Sequence, residues 1–390
     1  MKYLGYGEEE LEGLGAIHTA REIAQQPALW KKIYQQVGDQ EKDITAFFEA
    51  TASARRIILT GAGTSAFIGL SLRGVFQRSR GVTTEAISTT DLVTHPKNYL
   101  QENVPTLLVS FARSGNSPES AAVLRIADQV CKTCFHLIIT CNSEGLLAKQ
   151  PTVHKKFVFT LPPEANDQSL AMTSSYSGML LAGKLIADIE KREQFARDVQ
   201  RIATYAEKVI DYYAADIQQL AAIDFTRAVF LGAGPFFGTA TESHLKVQEL
   251  TDGKVVCKSD SYLGFRHGPK AVVDAHTLVV YIFSNSPYAF QYERDLLQAM
   301  KKGNQPLAEV VIAESAPDSE KLDYNFIFSD DGQKTSEDFL AVCSVVPSQI
   351  LAFYKSLQLG LKPDAPSVTG AISRVVEGVQ IYSLQNEVLP

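Results

Sequence analysis

A run of small polar residues follows a short apolar segment in the first half of the chain. Residues 106–110 (Thr-Leu-Leu-Val-Ser) lead into residues 111–117 (Phe-Ala-Arg-Ser-Gly-Asn-Ser), and Pro118 stands where a helix would begin. Hydroxyls, an amide and backbone N–H groups at a helix N-terminus form a natural phosphate site. Ser117 alone could be a helix cap, but one cap does not need the polar and flexible residues before it. The predicted phosphate ligands are Arg113, Ser114, Gly115, Asn116 and Ser117.

A glycine turn earlier in the chain carries two more hydroxyl groups. Residues 61–66 (Gly-Ala-Gly-Thr-Ser-Ala) follow a strand-like run and could contact a sugar or its phosphate through Gly63, Thr64 and Ser65. The same residues fit the G-x-G-x-x-A pattern of dinucleotide-binding proteins, and Glu85 stands about where such a protein keeps its ribose-binding acid. A dehydrogenase is therefore an alternative, although it would not need a second phosphate loop.

An acid and a histidine in the second half of the chain could transfer protons. Glu249 stands at the end of a predicted helix over 236–251, and residues 266–269 (Arg-His-Gly-Pro) follow a predicted strand over 254–258. Glu249 could instead be a solvated helix-end residue, and His267 a loop residue that only makes a hydrogen bond. Since no cluster of His, Asp and Glu has metal-ligand spacing, we predict no metal.

The elements that position these residues occur twice along the chain at a fixed offset. The strand and turn over Ile57–Gly63 return 171 residues later as Ala228–Gly234. Thr106–Ser110 returns at the same offset as Thr277–Tyr281. Because two separate strands keep the same offset, the sequence indicates an internal duplication.

The alternation of short apolar runs with helical patterns predicts an α/β protein with two tandem domains. Each is expected to be a flavodoxin-like three-layer α/β/α sandwich with a parallel five-stranded sheet. The predicted strands lie near 56–60, 82–87, 105–110, 135–140 and 155–159, and again near 227–231, 254–258, 277–282, 307–312 and 325–328. The predicted regions are an N-terminal helical region over 1–54, a first domain over 55–165, a long helical connector over 166–222, a second domain over 223–334, and a C-terminal helix (near 335–360) and tail over 335–390.

The composition excludes several classes of protein. With 390 residues, 45% of them hydrophobic, and a net charge of -7 without a Lys/Arg-rich run, the chain does not present a nucleic-acid surface. We see no export signal, and apolar stretches such as Met179–Ala182 fall far below the roughly 20 residues of a membrane span. We therefore expect a cytoplasmic protein without membrane contact. Cys131 and Cys134 form a C-x-x-C near Cys141, and we interpret them as reduced structural thiols.

These residues resemble those of the sugar isomerase (SIS) domain family, whose paired domains bind phosphosugars. The resemblance covers about 55–160 and 225–330, and its motifs are Gly61–Ser65, Ser114–Ser117, and Glu249 with Arg266–Pro269. Within the family, the chain looks most similar to the AgaS branch of tagatose-6-phosphate ketose/aldose isomerases and galactosamine-6-phosphate deaminases. The tail Pro363–Val376 is similar to that branch as well.

The resemblance implies an isomerase-type enzyme that needs no cofactor. Glu249 would move a proton between C1 and C2 of the open-chain sugar through an enediol or enolamine, and His267 would assist ring opening. In similar enzymes this histidine comes from a neighbouring subunit, which implies a homodimer or a higher homo-oligomer. The isomerase half of glucosamine-6-phosphate synthase uses a lysine in its C-terminal tail. In this chain, Arg374 is the nearest basic candidate for that role.

Besides the dehydrogenase, three functions remain open at this stage. With galactosamine 6-phosphate, which has an amine at C2, the enzyme would form tagatose 6-phosphate and release ammonia. With a substrate that has a hydroxyl at C2, the same steps would be a simple ketose/aldose isomerisation. A non-catalytic phosphosugar sensor is the third. Residues 1–54 lack the basic recognition helix of a fused DNA-binding element, and Glu249 and His267 would have no task in a sensor.

Overall fold

The computed structural model describes residues 1–316, 322–376 and 378–384. By their contacts these residues form two units, which we name after the sheet that each contains. The N-sheet unit comprises Ile33–Asn166, Met179–Arg192 and the described residues from Ile372 onward. The C-sheet unit comprises Met1–Lys32, Asp167–Gly178 and Glu193–Ala371. The domain boundaries drawn from the sequence, which follow chain order, stay a prediction.

Both sheets are parallel and have the same strand order. The strands are β1 (Lys2–Tyr3), β2 (Tyr6–Gly7), β3 (Arg56–Thr60), β4 (Thr83–Ala86), β5 (Thr106–Ala112), β6 (Cys134–Thr140), β7 (Lys156–Thr160), β8 (Arg227–Leu231), β9 (Val256–Asp260), β10 (Thr277–Ile282), β11 (Ala308–Ala313) and β12 (Tyr324–Ile327). The orders are β4-β3-β5-β6-β7 and β9-β8-β10-β11-β12. Even the register repeats, because Arg56 pairs with Thr106 and Arg227 pairs with Thr277. The predicted fold class is confirmed, and every predicted strand is present within a few residues.

Helices follow the strands along the chain and also form the segments before, between and after the two sets of strands. They are α1 (Glu8–Leu14), α2 (Ile17–Ala24), α3 (Gln26–Asp39), α4 (Glu41–Ala50), α5 (Thr64–Arg80), α6 (Thr89–Thr94), α7 (Pro96–Tyr99), α8 (Pro118–Val130), α9 (Leu146–Lys149), α10 (Ser174–Ala187), α11 (Ala196–Lys208), α12 (Ala214–Ala222), α13 (Phe236–Leu250), α14 (Tyr262–Phe265), α15 (Pro287–Met300), α16 (Glu337–Cys343) and α17 (Val346–Gln358). Short 3₁₀ helices lie at Pro163–Ala165, Ile189–Phe195 and Pro269–Val272, and a π-helical turn at Val209–Tyr213 joins α11 to α12.

The structure differs from the expected elements at both ends of the chain. In the N-terminal region, β1 and β2 form a hairpin whose two turn residues, Leu4 and Gly5, have φ values of +48° and +85°. Near the C-terminus, the single helix expected over 335–360 is divided into α16 and α17. Pro347 lies in the first turn of α17 and, in a continuous helix, its ring would clash with the carbonyl of Cys343, where α16 ends.

The two helices α16 and α17 are more apolar than the stretches noted in the sequence. Together, Glu337–Gln358 reach the length and hydropathy of a membrane span, and 94% of the most apolar window is buried inside the protein. Such burial is what a core helix shows, so this stretch is weak evidence of a membrane span.

Each sheet begins with the same glycine turn. A Cβ at Gly61 would lie 2.5 Å from the carbonyl carbon of Ser65, and one at Gly232 would meet the carbonyl oxygen of Phe236 in the same way. Glycine therefore lets the first helix of each sheet pack back against the strand that precedes it.

We predict that Gly61→Ala and Gly232→Ala each lower the free energy of unfolding by about 1–3 kcal/mol, because the added methyl group meets backbone atoms that cannot move aside. Urea unfolding of the purified variants measures this loss. Gly13→Ala is the control, since a Cβ at this exposed position in α1 has no neighbour within 4 Å and alanine favours helices. An equal, small effect at all three positions would contradict the prediction.

Candidate active site

The predicted phosphate loop joins the end of β5 to the start of α8. Gly115 has a φ of +63°, a conformation that other residues rarely adopt. Inside the turn, the N–H of Asn116 donates to Ser114 Oγ (3.3 Å). Ser117 is the N-cap residue of α8, but its hydroxyl pairs with Ser120 Oγ (2.5 Å) and makes no cap hydrogen bond. The serine and asparagine side chains of this loop are therefore not explained as a helix cap.

The loop that follows β6 holds the phosphate loop in place. Asn142 Nδ2 donates to the carbonyl of Ser114 (2.9 Å), and the N–H of Leu146 donates to Asn116 Oδ1 (3.0 Å). Among the residues that the structure describes, the N–H of Ser117 has no acceptor. Since this N–H lies at the positive end of α8, it is available to an anion.

Two arginines meet beside the phosphate loop in the N-sheet unit. Arg113 is only 7% exposed, and its guanidinium donates to the carbonyl oxygen of Arg374. The Arg374 guanidinium in turn donates to Asn166 Oδ1 (2.9 Å). The structure thus brings the predicted tail residue to the predicted loop, although they are 261 residues apart in the sequence.

The glycine turn with Thr64 and Ser65 lies at the same edge of the N-sheet as the phosphate loop. It follows β3, which pairs with β5, and parallel strands place their carboxyl ends together. Gly63 has a φ of +55° and precedes α5, whose first two residues Thr64 and Ser65 are each 5% exposed.

Glu85, the acid that a dinucleotide-binding protein would use for the ribose, has a structural partner here. Arg56 Nε on the adjacent strand donates to Glu85 Oε2 (2.6 Å). This ion pair joins β3 to β4, which reduces the support for the dehydrogenase alternative.

The candidate base Glu249 belongs to a row of charged residues on one face of α13. Lys246 Nζ lies 2.6 Å from Glu249 Oε2 and 3.3 Å from Glu242 Oε1. The three residues are three and four positions apart, which places them on the same face of a helix. The side chains of Lys246 and Glu242 are fully buried, whereas that of Glu249 is 24% exposed.

Charge on Lys246 is stabilised by its two partners. Burial alone would lower the pKa of this lysine, but the Glu242 and Glu249 carboxylates outweigh burial and raise the pKa above its ordinary value. Lys246 is therefore an ammonium ion that fixes the Glu249 carboxylate in position. Sequence reasoning missed this residue, although the spacing Glu-x-x-x-Lys-x-x-Glu over 242–249 could have revealed it.

Two histidines of the C-sheet unit have different surroundings. His267 is exposed in the loop after α14. Its N–H donates to the carbonyl of Gly264 (3.0 Å), and the next residue, Gly268, has a φ of +112°. His244, which the sequence analysis did not select, is half-buried on α13. Burial lowers its pKa, although Glu249 acts in the opposite direction, so its ring is neutral near neutral pH.

The predicted site residues are divided between the two units. The N-sheet unit contains Gly63, Thr64, Ser65, Arg113, Ser114, Gly115, Asn116, Ser117 and Arg374, and the C-sheet unit contains Glu249 and His267. Among the described residues, no group of three or more His, Cys, Asp or Glu is placed to hold a metal ion.

Residues 51–188, which contain the N-sheet and its phosphate loop, match the family described as the SIS domain. With the two parallel sheets of identical order, this match defines the chain as a protein of tandem sugar isomerase domains.

Comparison with individual proteins places the chain within that class. It is 42% identical to the D-galactosamine-6-phosphate deaminase AgaS of Shewanella sp. (strain ANA-3), over 96% of this chain and 94% of the relative. A solved structure from Clostridium novyi has a TM-score of 0.94 and 39% identity over 98% of this chain and 99% of its own. The Escherichia coli tagatose-6-phosphate ketose/aldose isomerase has a TM-score of 0.85 and 35% identity over 94% and 97% of the two chains. The chain belongs to the AgaS family, a family of enzymes.

We predict that Lys246→Met lowers the free energy of unfolding by about 3–5 kcal/mol, because it leaves the buried Glu242 carboxylate without its cation. Denaturant unfolding at neutral pH tests this. The control is Lys31→Met, which removes an ion pair with Glu207. The Lys31 and Glu207 side chains are 39% and 46% exposed, so this variant should lose about 1 kcal/mol or less. Similar losses of stability for the two variants would show that buried Lys246 and Glu242 do not form an ion pair.

Proposed function

We propose that this enzyme converts galactosamine 6-phosphate and water into tagatose 6-phosphate and ammonia. The relative from Shewanella, which is named for the deamination, matches nearly the full length of both chains. The observation that carries the proposal is the row of charges on α13, where buried Lys246 holds a partly exposed carboxylate, that of Glu249. A carboxylate that is held in a fixed position and is accessible can act as the general base of a proton transfer between two carbon atoms.

The proposed reaction begins with the substrate phosphate on the loop after β5. The N–H of Ser117 and the positive end of α8 would bind the phosphate, and the hydroxyls of Ser114 and Thr64 would add hydrogen bonds. Arg113 and Arg374 would supply positive charge beside the loop. Binding at this remote group would hold the substrate in one position while its C1 and C2 react.

Proton transfer then follows on the open-chain sugar. His267 would exchange a proton with the ring oxygen and so open the ring. Glu249 would remove the proton from C2 of the aldehyde while O1 gains a proton, which gives an enolamine, and would return it to C1 while the amine loses a proton, which gives a C2 imine. Water then adds to the imine carbon and ammonia leaves, so that C2 becomes the ketone of tagatose 6-phosphate. We infer that His267 acts in a neighbouring subunit and that the active enzyme is a homodimer or a higher homo-oligomer.

A simple ketose/aldose isomerisation is the second candidate. The solved structure from Escherichia coli carries the name of that activity and is 35% identical to this chain. The same base and the same phosphate loop would serve, because only the group at C2 differs. Without an amine at C2, the intermediate is an enediol and no ammonia forms.

We predict that Glu249→Gln reduces kcat for ammonia release from galactosamine 6-phosphate by about 10²–10⁴-fold, because the amide cannot accept the C2 proton. KM should change much less, since the phosphate loop is untouched. Glu12→Gln, an exposed position on α1, is the control and should keep full activity.

Ammonia and ketose 6-phosphate are measured separately for each variant and for a neutral aldose 6-phosphate. Ketose from the neutral sugar, with no ammonia from the amino sugar, would establish the isomerase in place of the deaminase. If the wild-type enzyme binds both sugars and converts neither, the proposed catalytic function is wrong and a sensor becomes the better interpretation.

A further inference from the structure

The C-sheet unit contains a loop that corresponds to the phosphate loop. It follows β10, as the phosphate loop follows the equivalent strand β5, and it precedes α15. Its residues are Ser284, Asn285, Ser286 and Pro287, where the phosphate loop has Ser114, Gly115, Asn116, Ser117 and Pro118. The sequence comparison at a fixed offset missed this similarity because the second loop is shorter.

The two loops are also built alike. In each, the hydroxyl of the first serine accepts the N–H of the residue two positions later, over 3.3 Å from Asn116 and 3.0 Å from Ser286. In each, a serine is the N-cap without a side-chain cap bond, and proline is in the first turn of the helix. The helix that follows has 13 residues in α8 and 14 in α15.

Carboxyl groups of the same chain already bind the donors of the second loop. The N–H of Ser284 donates to Glu293 Oε2 (2.9 Å), and its hydroxyl donates to Glu337 Oε1. The Asn285 side-chain amide donates to Glu314 Oε2 (2.6 Å). Within the described residues, by contrast, the side chains and carbonyls of residues 114–117 pair with hydroxyl, amide and backbone N–H groups.

The carboxyl group of Glu293 lies deep beside this loop. The residue is 1% exposed, and its Oε1 has no hydrogen-bond partner in the part of the chain that the structure describes. Burial, with the neighbouring charge of Glu337, raises the pKa of Glu293 to about 8. A phosphate placed in the second loop would therefore meet the Glu337 carboxylate and compete for donors that Glu293 and Glu314 already accept from.

We propose that the second loop is a phosphate-type site closed by the Glu293 and Glu337 carboxyl groups, so that each chain binds a phosphate ester at the first loop only. This inference rests on the proposed function for the identity of the ligand. The physical reason is charge, because a phosphate and a carboxylate repel each other strongly at short range and away from bulk water. Replacing Glu293 and Glu337 removes the acidic groups that bind Ser284, so that its hydroxyl, its N–H and the helix terminus can bind an anion, while Glu314 stays on the Asn285 amide.

The test is the number of inorganic phosphate ions that the full-length protein binds, measured by calorimetric titration. We expect one phosphate per wild-type chain and two per chain for the double variant Glu293→Gln/Glu337→Gln. Addition of Ser284→Asp to that variant restores a negative charge and should return the number to one. Glu22→Gln, which changes a buried glutamate bound to Ser169 elsewhere in the C-sheet unit, is the matched control and should keep one.

Each result has a separate meaning for the two loops. Two phosphates per wild-type chain, with one lost in Ser284→Asp, would overturn the inference, as would a folded double variant that still binds one. No phosphate on the wild type but one on the double variant would support the closed site and contradict the proposed role of the first loop. If the double variant does not fold, the single variant Glu337→Gln, which keeps the size of the side chain, must gain a second, weaker site.

Discussion

Parallel pairing is the constraint on which the candidate site depends. In a parallel sheet every strand ends at the same edge, so the loops after β3, β5 and β6 come together without any direct attraction between them. The turn at Gly61 places the start of α5 at this edge, and Asn142 ties the phosphate loop to the strand beside it. The same geometry operates in the C-sheet, with the same strand order.

Similar backbones with different charges explain how two related sheets can have different tasks. Arg113 and Arg374 lie beside the first loop, whereas three carboxyl groups bind the donors of the second. A helix N-terminus favours any anion, and it does not distinguish a phosphate from a carboxylate of the same chain. The side chains that surround the loop therefore decide whether its donors are available to a ligand.

The sequence predicted the fold well because its signals are local and repeated. Buried strands such as β5 are continuous apolar runs, and the glycine turns follow them directly. The sequence could not predict contacts that depend on distant segments, such as the carbonyl of Arg374 at Arg113 or the carboxylate of Glu337 at Ser284. The break between α16 and α17 was predictable, since Pro347 stands in the middle of the expected helix.

The buried charges on α13 are difficult to explain by stability alone. Taking Lys246 and Glu242 out of water is costly, and well-packed apolar residues of similar size often stabilise a protein as much or more. The charged arrangement positions the base, because the buried Lys246 ammonium holds the Glu249 carboxylate at a fixed point. A base that must reach two adjacent carbon atoms in turn benefits from such a fixed point, since small misplacements slow proton transfer. The stability cost of the cluster is therefore consistent with the proposed role of Glu249.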